Sequence, residues 1–222
     1  YVQSSIWYNV GEVSNKGVEL QVSATAMEKG DFRWQVDFTG NYQKNKLVTM
    51  SNDIFKSNWI QFGGLPAPGN LGDAIRLEEG GEIGSFYGKQ FAGFTDDGKW
   101  LFQKADGSAV PASEINDNDL RYIGNGVPKF QASLSNRFMY KGFDLTIFFR
   151  GKFKYDILNT ADMFFGNQKW VPNNVLESAF TTNKDINDDP QYSDYYLENG
   201  SFVKMDNITL GYNFKMKTAF VR

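Results

Sequence analysis

The sequence predicts an all-β fold, as a segment of an antiparallel transmembrane β-barrel, from three observations. Apolar and polar residues alternate with a period of two in each clear segment, which is the pattern of a strand with two different faces. These segments match the roughly 9–11 residues that a tilted strand needs to cross a membrane. Tight turns alternate with long polar connections, as in bacterial outer-membrane barrels.

The first predicted hairpin joins two alternating segments through a tight turn. Apolar residues occupy the even positions from Phe32 to Tyr42, and polar residues occupy the odd positions between them. Upstream, Val18 and Leu20 begin a second alternating segment. Gly30 lies between the two segments, where its permissive backbone suits a tight turn.

A second predicted hairpin has strands at 130–140 and 143–153, joined at Lys141 and Gly142, and a further strand follows at 207–214. Asn136 is the one polar residue on the apolar side of the first of these strands. Weaker strand candidates lie at 83–95, at 99–104 and from Lys217 onward. Residues 45–82 and 155–200 are rich in Asn, Asp, Gly and Ser, which suits solvated loops. No segment has a convincing helical period.

Composition excludes several functional classes. The 222 residues include no cysteine and no histidine, so thiol catalysis, imidazole metal sites and Ser-His-Asp triads are excluded. The formal charge of -3 offers no basic stripe for nucleic acid. Asp96 and Asp97 precede Gly98 in a predicted turn, so no glycosidase pair is predicted. We therefore expect neither an enzyme nor a cofactor.

Four motifs carry a resemblance to a known family. Residues 9–20 are similar to the "N-x-G-x-V-x-N-x-G-x-E-L" stretch of SusC/RagA-like, TonB-linked outer-membrane transporters, and residues 80–88 to their "G-x-x-I-G-x-F-Y-G" segment. Residues 140–145 resemble the family's "Y-x-G-F-D-L" turn. The most specific match is residues 198–214, which resemble "E-N-x-S-F-x-R-L-x-N-I-T-L-G-Y-N-F". Gly126 stands where the family usually has proline and Lys204 where arginine is common, which leaves the subfamily open.

This resemblance implies that residues 1–222 are the C-terminal portion of a TonB-dependent receptor β-barrel. The plug domain would lie upstream and the final strands downstream, so we expect both to be absent here. The chain would supply roughly seven or eight strands of a barrel of about 22. The family implies active transport of large nutrients, oligosaccharides or peptides, across the bacterial outer membrane. The implied partners are a SusD-like surface lipoprotein and TonB, which contacts the missing plug segment.

The alternation assigns residues to the two sides of the barrel wall. Pairs and triplets that would meet lipid are Val18/Leu20, Trp34/Val36/Phe38, Leu145/Ile147/Phe149 and Leu210/Tyr212. Amphipathic rings favour the interface, which makes girdle candidates of Trp34, Tyr42, Tyr140 and Tyr212. The residues predicted to face the lumen or the plug are Arg33, Asp37, Asp144, Arg150 and Lys152.

Loop aromatics and amides are the candidate substrate contacts. These residues, which could stack on and hydrogen-bond a sugar, are Trp59, Trp100, Trp170, Asn173 and Asn174. Their alternative role is to pack loops or dock the lipoprotein. Residues 185–189 begin like a calcium loop, but Pro190 replaces the required glycine and Tyr196 the bidentate glutamate, so we predict no metal site.

Two other functions remain compatible with the alternation alone. A passive porin would have the same strands but no plug. A soluble, carbohydrate-binding β-sandwich adhesin would also alternate, with one face of each sheet buried.

Overall fold

The computed structural model describes residues 11–52, 56–65 and 71–214. Within these ranges the chain divides into two compact units. The strand unit comprises the described residues of Lys16–Gln43, Pro128–Lys154 and Ser201–Arg222. The loop unit comprises the described residues of Tyr1–Asn15, Lys44–Val127 and Tyr155–Gly200.

The secondary structure of these residues is nearly all β. In chain order the strands are β1 (Glu12–Lys29), β2 (Phe32–Thr49), β3 (Trp59–Gly64), β4 (Asp73–Glu78), β5 (Ser85–Gly88), β6 (Phe91–Phe94), β7 (Trp100–Gln103), β8 (Ala109–Pro111), β9 (Arg121–Asn125), β10 (Phe130–Tyr140), β11 (Phe143–Phe153), β12 (Asp156–Leu158), β13 (Leu197–Asn199) and β14 (Phe202–Tyr212). The α-helix α1 is Thr160–Phe165, and 3-10 turns occupy Ala112–Glu114, Asp117–Asp119, Gln168–Trp170, Glu177–Phe180 and Asp194–Tyr196. No helix among the described residues is long and apolar enough to span a membrane.

The strand unit is built on a five-stranded sheet in the order β1-β2-β10-β11-β14. β10 pairs antiparallel with both β2 and β11, and β11 pairs with β14. β10, β11 and β14 have 11 residues each, whereas β1 and β2 have 18. The strands predicted at 130–140 and 143–153 are confirmed, and β2 continues seven residues beyond the predicted end at Tyr42.

Tight turns join the strands of both hairpins, as predicted. Gly30 has a φ of 58° between β1 and β2, and Lys141 and Gly142 have φ values of 46° and 92° between β10 and β11. The β10–β11 turn has positive φ at both central residues, Lys141 and Gly142, so it is a type I′ turn. The twist of this turn type matches that of the flanking strands. Lysine is an unusual choice at such a position because a Cβ crowds the left-handed backbone.

The loop unit has its own sheets and core. Its strands form a four-stranded sheet β3-β4-β5-β9, a three-stranded sheet β6-β7-β8 and the pair β12-β13. One cluster of buried residues holds it together: Ala74, Phe86, Trp100, Phe102, Met163, Phe164, Ile186, Tyr192 and Tyr196. The stretches predicted as solvated loops therefore contribute an ordered core.

Some predicted elements change in detail. The weak candidate at 83–95 becomes β5 and β6, and that at 99–104 becomes β7; the candidate from Lys217 onward lies outside the described residues. α1 was not predicted, because six residues are too few to show a helical period. Asn159 caps its start by accepting a hydrogen bond from the Asp162 amide. Instead of roughly seven or eight strands, five long and nine short strands are described.

Candidate functional site

One side of the five-stranded sheet, the apolar face, carries rows of apolar side chains. Residues opposed across antiparallel strands share a face. One row is Trp34, Phe138, Leu145 and Leu210; the next is Val36, Asn136, Ile147 and Ile208; the third is Phe38, Leu134, Phe149 and Met205. The predicted lipid-facing residues of β2, β11 and β14 thus do share one face.

No described residue covers the apolar face. Leu210 is 69% exposed, Ile208 59% and Val203 68%, and Val18 and Leu20 of β1 are exposed as well. Gly151 is the only buried residue among the described residues of the strand unit. An apolar surface of this extent requires an apolar surrounding, because in water it would drive association.

Aromatic residues border the apolar face at both ends of the strands. Next to the tight turns lies the row Phe32, Tyr140, Phe143 and Tyr212, and at the opposite end lies the row Tyr42, Phe130 and Phe153. Phe130 and Tyr140 are ten residues apart, or about 34 Å along an antiparallel strand. At a tilt of about 35–45° their separation along the normal is about 24–28 Å, close to the apolar band of outer-membrane barrels.

Three girdle candidates, Tyr42, Tyr140 and Tyr212, lie in these terminal rows. Trp34 lies one row inward, stacked on Phe138 with 5.6 Å between the ring centroids. Its Nε1 donates to Oδ1 of Asn136 across 3.2 Å. That bond provides a partner for the one polar side chain on this part of the apolar face, which would otherwise be costly in hydrocarbon.

The opposite side of the sheet, the polar face, carries all five residues predicted to face the lumen or plug. The register places Arg33 and Asp144 beside Met139, Asp37 beside Ser135, Arg150 beside Ser133, and Lys152 beside Gln131. Ion pairs join Arg137 Nη2 to Asp144 Oδ2 at 2.6 Å and Arg150 Nε to Asp206 Oδ2 at 2.9 Å. The structure confirms that these residues share a face; that this face meets a lumen or a plug remains a prediction.

A polar and aromatic cavity system lies in the loop unit. The larger cavity has a volume of about 550 Å³ and is lined by residues including Gln61, Asp73, Tyr87, Lys89 and Gln191. The smaller cavity, about 390 Å³, adjoins it through the shared residues Gln61, Tyr87 and Leu120, and adds Trp59, Arg76, Asp117 and Asn118. Both volumes fall within the range of about 300–1,000 Å³ typical of ligand pockets.

Arg76 is the cation of the smaller cavity. It lies on β4 opposite Gln61 of β3. Its Cζ is 4.6 Å from the ring centroid of Trp59 and 4.4 Å from that of Tyr87. The guanidinium is held between two rings in an arrangement that stabilises a cation.

Glu78 and Tyr122 lie beside this guanidinium. Nε of Arg76 is 3.4 Å from Oε2 of Glu78, and the same oxygen accepts a 2.5 Å hydrogen bond from the Tyr122 hydroxyl. Burial, followed by that hydrogen bond, raises the pKa of Tyr122 to about 12. Tyr122 is therefore a donor at neutral pH.

Lys89 and Tyr192 line the larger cavity. Nζ of Lys89 donates to Oε1 of Gln191, and burial lowers the pKa of this ammonium. The Tyr192 hydroxyl donates to the carbonyl oxygen of Ala74 across 2.7 Å, and burial raises the pKa of Tyr192. The first bond joins two residues of the cavity wall, and the second joins the wall residue Tyr192 to Ala74 in the core of the loop unit.

The structure separates the predicted substrate residues. Trp59 is 46% exposed and lines the smaller cavity. Trp100 is fully buried, and its Nε1 donates to the carbonyl of Asp189 across 2.9 Å, so its prediction as a surface contact is wrong. Trp170 is half-buried in a 3-10 turn, and Asn173 and Asn174 are exposed; none of the three lines either cavity.

The acidic segment 185–189 is engaged by protein groups. Lys99 Nζ donates to the Asn187 carbonyl across 2.6 Å, and Lys169 Nζ is 3.2 Å from Oδ1 of Asp189. Within the described ranges, no three acidic side chains are grouped so that they could hold a metal ion.

Comparisons with known proteins find relatives among outer-membrane receptors. No protein-family model matches the chain. TonB-dependent receptor P3 of Formosa agariphila is 30% identical over 247 residues, which cover 95% of this chain and 22% of that protein. TonB-dependent receptor SusC of Bacteroides thetaiotaomicron is 25% identical, covering 93% of this chain and 21% of SusC. The homologues of the chain are TonB-dependent receptors, SusC among them.

A solved structure agrees with this homology. The RagAB peptide transporter superposes on 92% of this chain and 23% of the transporter chain, with a TM-score of 0.69 and 24% identity. The predicted antiparallel barrel segment and the predicted resemblance to SusC/RagA-like receptors are confirmed, and the sheets described are partial rather than closed. The chain spans 22% and 21% of the two curated receptors named above.

Sequence reasoning missed Arg76, Lys89 and Gln191 as members of one site. They come from β4, from the residue after β5 and from a connection more than 100 positions later. Two sequence signals lay near the cavities: Tyr87 lies within the recognised 80–88 motif, and Trp59 was a candidate substrate contact.

Proposed function

We propose that residues 1–222 form the C-terminal part of the barrel of a TonB-dependent importer in the bacterial outer membrane. The observation that carries this proposal is the exposed apolar face bounded by two aromatic rows about 24–28 Å apart along the membrane normal. The strand unit would cross the membrane, and the loop unit would lie among the extracellular connections. The other strands of a barrel of about 22, the last of them downstream, would complete the wall, and a plug domain encoded upstream would fill it.

The importer would take up large nutrients, oligosaccharides or peptides, and would act with a SusD-like lipoprotein and with TonB. Support comes from homology to SusC and from structural similarity to the RagAB peptide transporter. The protein moves its cargo without altering it covalently, and is not an enzyme. Arg33, Asp37, Asp144, Arg150 and Lys152 would face the lumen or plug. The substrate would contact Trp59, with Trp170, Asn173 and Asn174 as further loop contacts.

The soluble sandwich is disfavoured by burial. A sandwich covers one face of each sheet with the other sheet, yet no apolar side chain among the described residues of the strand unit is buried. Homology to TonB-dependent receptors favours an active importer over a passive porin, and the dependence of uptake on TonB tests that choice.

The test uses the full-length gene product in its native cells. We expect it to fractionate with outer membranes, to need detergent for extraction and to change electrophoretic mobility on heating, as closed barrels do. Extraction in buffer alone would contradict the membrane assignment. Uptake of its nutrient should stop when TonB is deleted; uptake that continues without TonB would identify a passive porin.

A further inference from the structure

Of the two arginines among the described residues of the loop unit, Arg76 has the fewer side-chain hydrogen bonds. Its side chain is only 17% exposed, and its Nε is buried without a hydrogen-bond partner. Among the described residues, its contacts are the two rings and the 3.4 Å approach to Glu78. A guanidinium has five N–H donors in a planar fork, and buried donors left unpaired are costly.

An ordinary structural arginine in the same unit shows the contrast. The Arg121 guanidinium donates to side-chain oxygens of Gln90 and Gln103 and to the backbone carbonyls of Gln103 and Lys104. Both of its terminal nitrogens therefore donate hydrogen bonds to other groups of the loop unit. The donors of Arg76 are held in place by stacking and lie in the wall of a cavity.

The planar fork of an arginine matches a carboxylate in bidentate geometry. Besides Arg76, the lining holds a second cation, Lys89, and groups that can hydrogen-bond hydroxyls: the amides of Gln61, Asn118 and Gln191 and the carboxylates of Asp73, Asp117 and Asp189. Trp59, which is 46% exposed, adds aromatic surface for the C–H face of a sugar ring. The polar groups are side chains on several elements, which suits a ring with many hydroxyls.

We propose that the two adjoining cavities bind a carboxylate-bearing oligosaccharide, with Arg76 holding the carboxylate and the amides and acids holding hydroxyl groups. The inference rests on the proposed function, because it names the substrate class for the extracellular surface of that importer. A peptide with acidic side chains is the competing ligand, and it is an outcome of the test.

The experiment measures binding to the full-length receptor in detergent by titration calorimetry. The probes are a tetramer of galacturonic acid, maltotetraose as a neutral sugar, and tetraglutamate as an acidic peptide. We expect the galacturonate tetramer to bind at least about tenfold more tightly than either other probe. Its affinity should also fall with added salt, because the carboxylate–guanidinium contact is screened.

Variants locate the binding. Arg76→Gln should weaken the galacturonate tetramer by about 10-fold to 100-fold, and Arg76→Lys by less, because lysine keeps the charge without the fork. Lys184→Gln makes the same change in net charge at an exposed position of the loop unit, and should change affinity by less than about twofold. Asn118→Ala, which leaves the stacked rings intact, should weaken binding by about 3-fold to 10-fold, and tests the site even if Arg76→Gln disturbs folding.

Three results would overturn the inference: no binding of the galacturonate tetramer, unchanged binding in Arg76→Gln and Asn118→Ala, or equal binding of tetraglutamate. Membrane extraction and TonB dependence do not enter these measurements. A receptor that passes those tests and fails this one keeps the proposed function and loses only the substrate class.

Discussion

The two units use the same kinds of apolar residue in opposite ways. All twelve buried hydrophobic residues of the described chain lie in the loop unit, from Leu47 to Tyr196. The strand unit instead exposes Val18, Leu210 and Phe214. The loop unit builds a protein core, whereas the strand unit has a face whose apolar partner must come from outside it.

This difference follows from what each backbone requires. In hydrocarbon, all backbone groups must be hydrogen-bonded within the protein, so a membrane-spanning segment is confined to regular ladders. The loop unit can be irregular, because water or side chains satisfy its free groups. Asp119 is one such side chain: its carboxylate accepts from the amides of Ala105 and Asn116, which lowers its pKa.

The largest expected effect is in the core of the loop unit. Trp100→Ala removes a fully buried ring and leaves the Asp189 carbonyl without its indole donor, so it should destabilise the loop unit by about 3–5 kcal/mol. Hydrogen exchange of the full-length receptor should show faster exchange in loop-unit peptides and unchanged exchange in β10 and β11. The control is Phe38→Ala on the apolar face, where lipid can fill the space and no hydrogen bond is lost. An equal effect of the two changes on their own units would break the comparison.

On the apolar face, adding a charge should reduce folding stability in lipid more than removing side-chain volume does. Val36 lies in the row between the two aromatic ends of the sheet, so Val36→Arg should cost about 2–4 kcal/mol if this row is near the bilayer midplane. The free energy of folding into lipid vesicles measures the cost. Asp37→Asn, its neighbour on the polar face, should have a far smaller effect. Equal tolerance of both changes would reverse or remove the assignment of faces.

Two glycines with positive φ should differ by their surroundings. At Gly98, with a φ of 80°, an added Cβ would lie 2.1 Å from the Asp185 carbonyl oxygen, whereas at Gly30 it would meet nothing within 4 Å. Gly30→Ala should lower the free energy of unfolding by roughly 1–2 kcal/mol, the cost of a left-handed backbone alone. Gly98→Ala should lower it by more, because the added Cβ also clashes. Thermal unfolding of each variant, followed by hydrogen exchange in its own unit, gives the two values. A smaller cost at Gly98 would show that the loop unit relaxes more easily than its packing indicates.

The smallest effect concerns the β10–β11 turn. Lys141→Asn should stabilise the strand unit by about 0.5 kcal/mol or less, because asparagine tolerates the left-handed backbone of a type I′ turn better than lysine. Refolding midpoints in lipid should rise slightly. The control is Lys29→Asn at the end of β1, where φ is not positive and asparagine is a poor strand former, so no gain is expected there. A gain at Lys29 and none at Lys141 would contradict the turn assignment.

Prediction from sequence succeeded for the long strands and tight turns, and failed for short strands whose surroundings come from distant segments. The hairpin at Lys141 and Gly142 was visible because local turn chemistry and alternation agree. Trp100 was misassigned, because the alternation of a four-residue strand does not show whether its tryptophan is buried or exposed. Arg76 was overlooked, because its partners Trp59 and Tyr87 lie on neighbouring strands and no local pattern joins them.

The sequence by itself determined most of the two faces of the strand unit, since successive side chains of a regular strand point to opposite sides. The exception is β14, where a bulge puts Ile208 and Met205 on one face. The sequence also placed Arg33, Asp37, Asp144, Arg150 and Lys152 together on one of the two faces. Only the tertiary structure decided which loop aromatics are buried and brought the cavity residues together. Those outcomes depend on contacts between segments far apart in the chain, which no local period encodes.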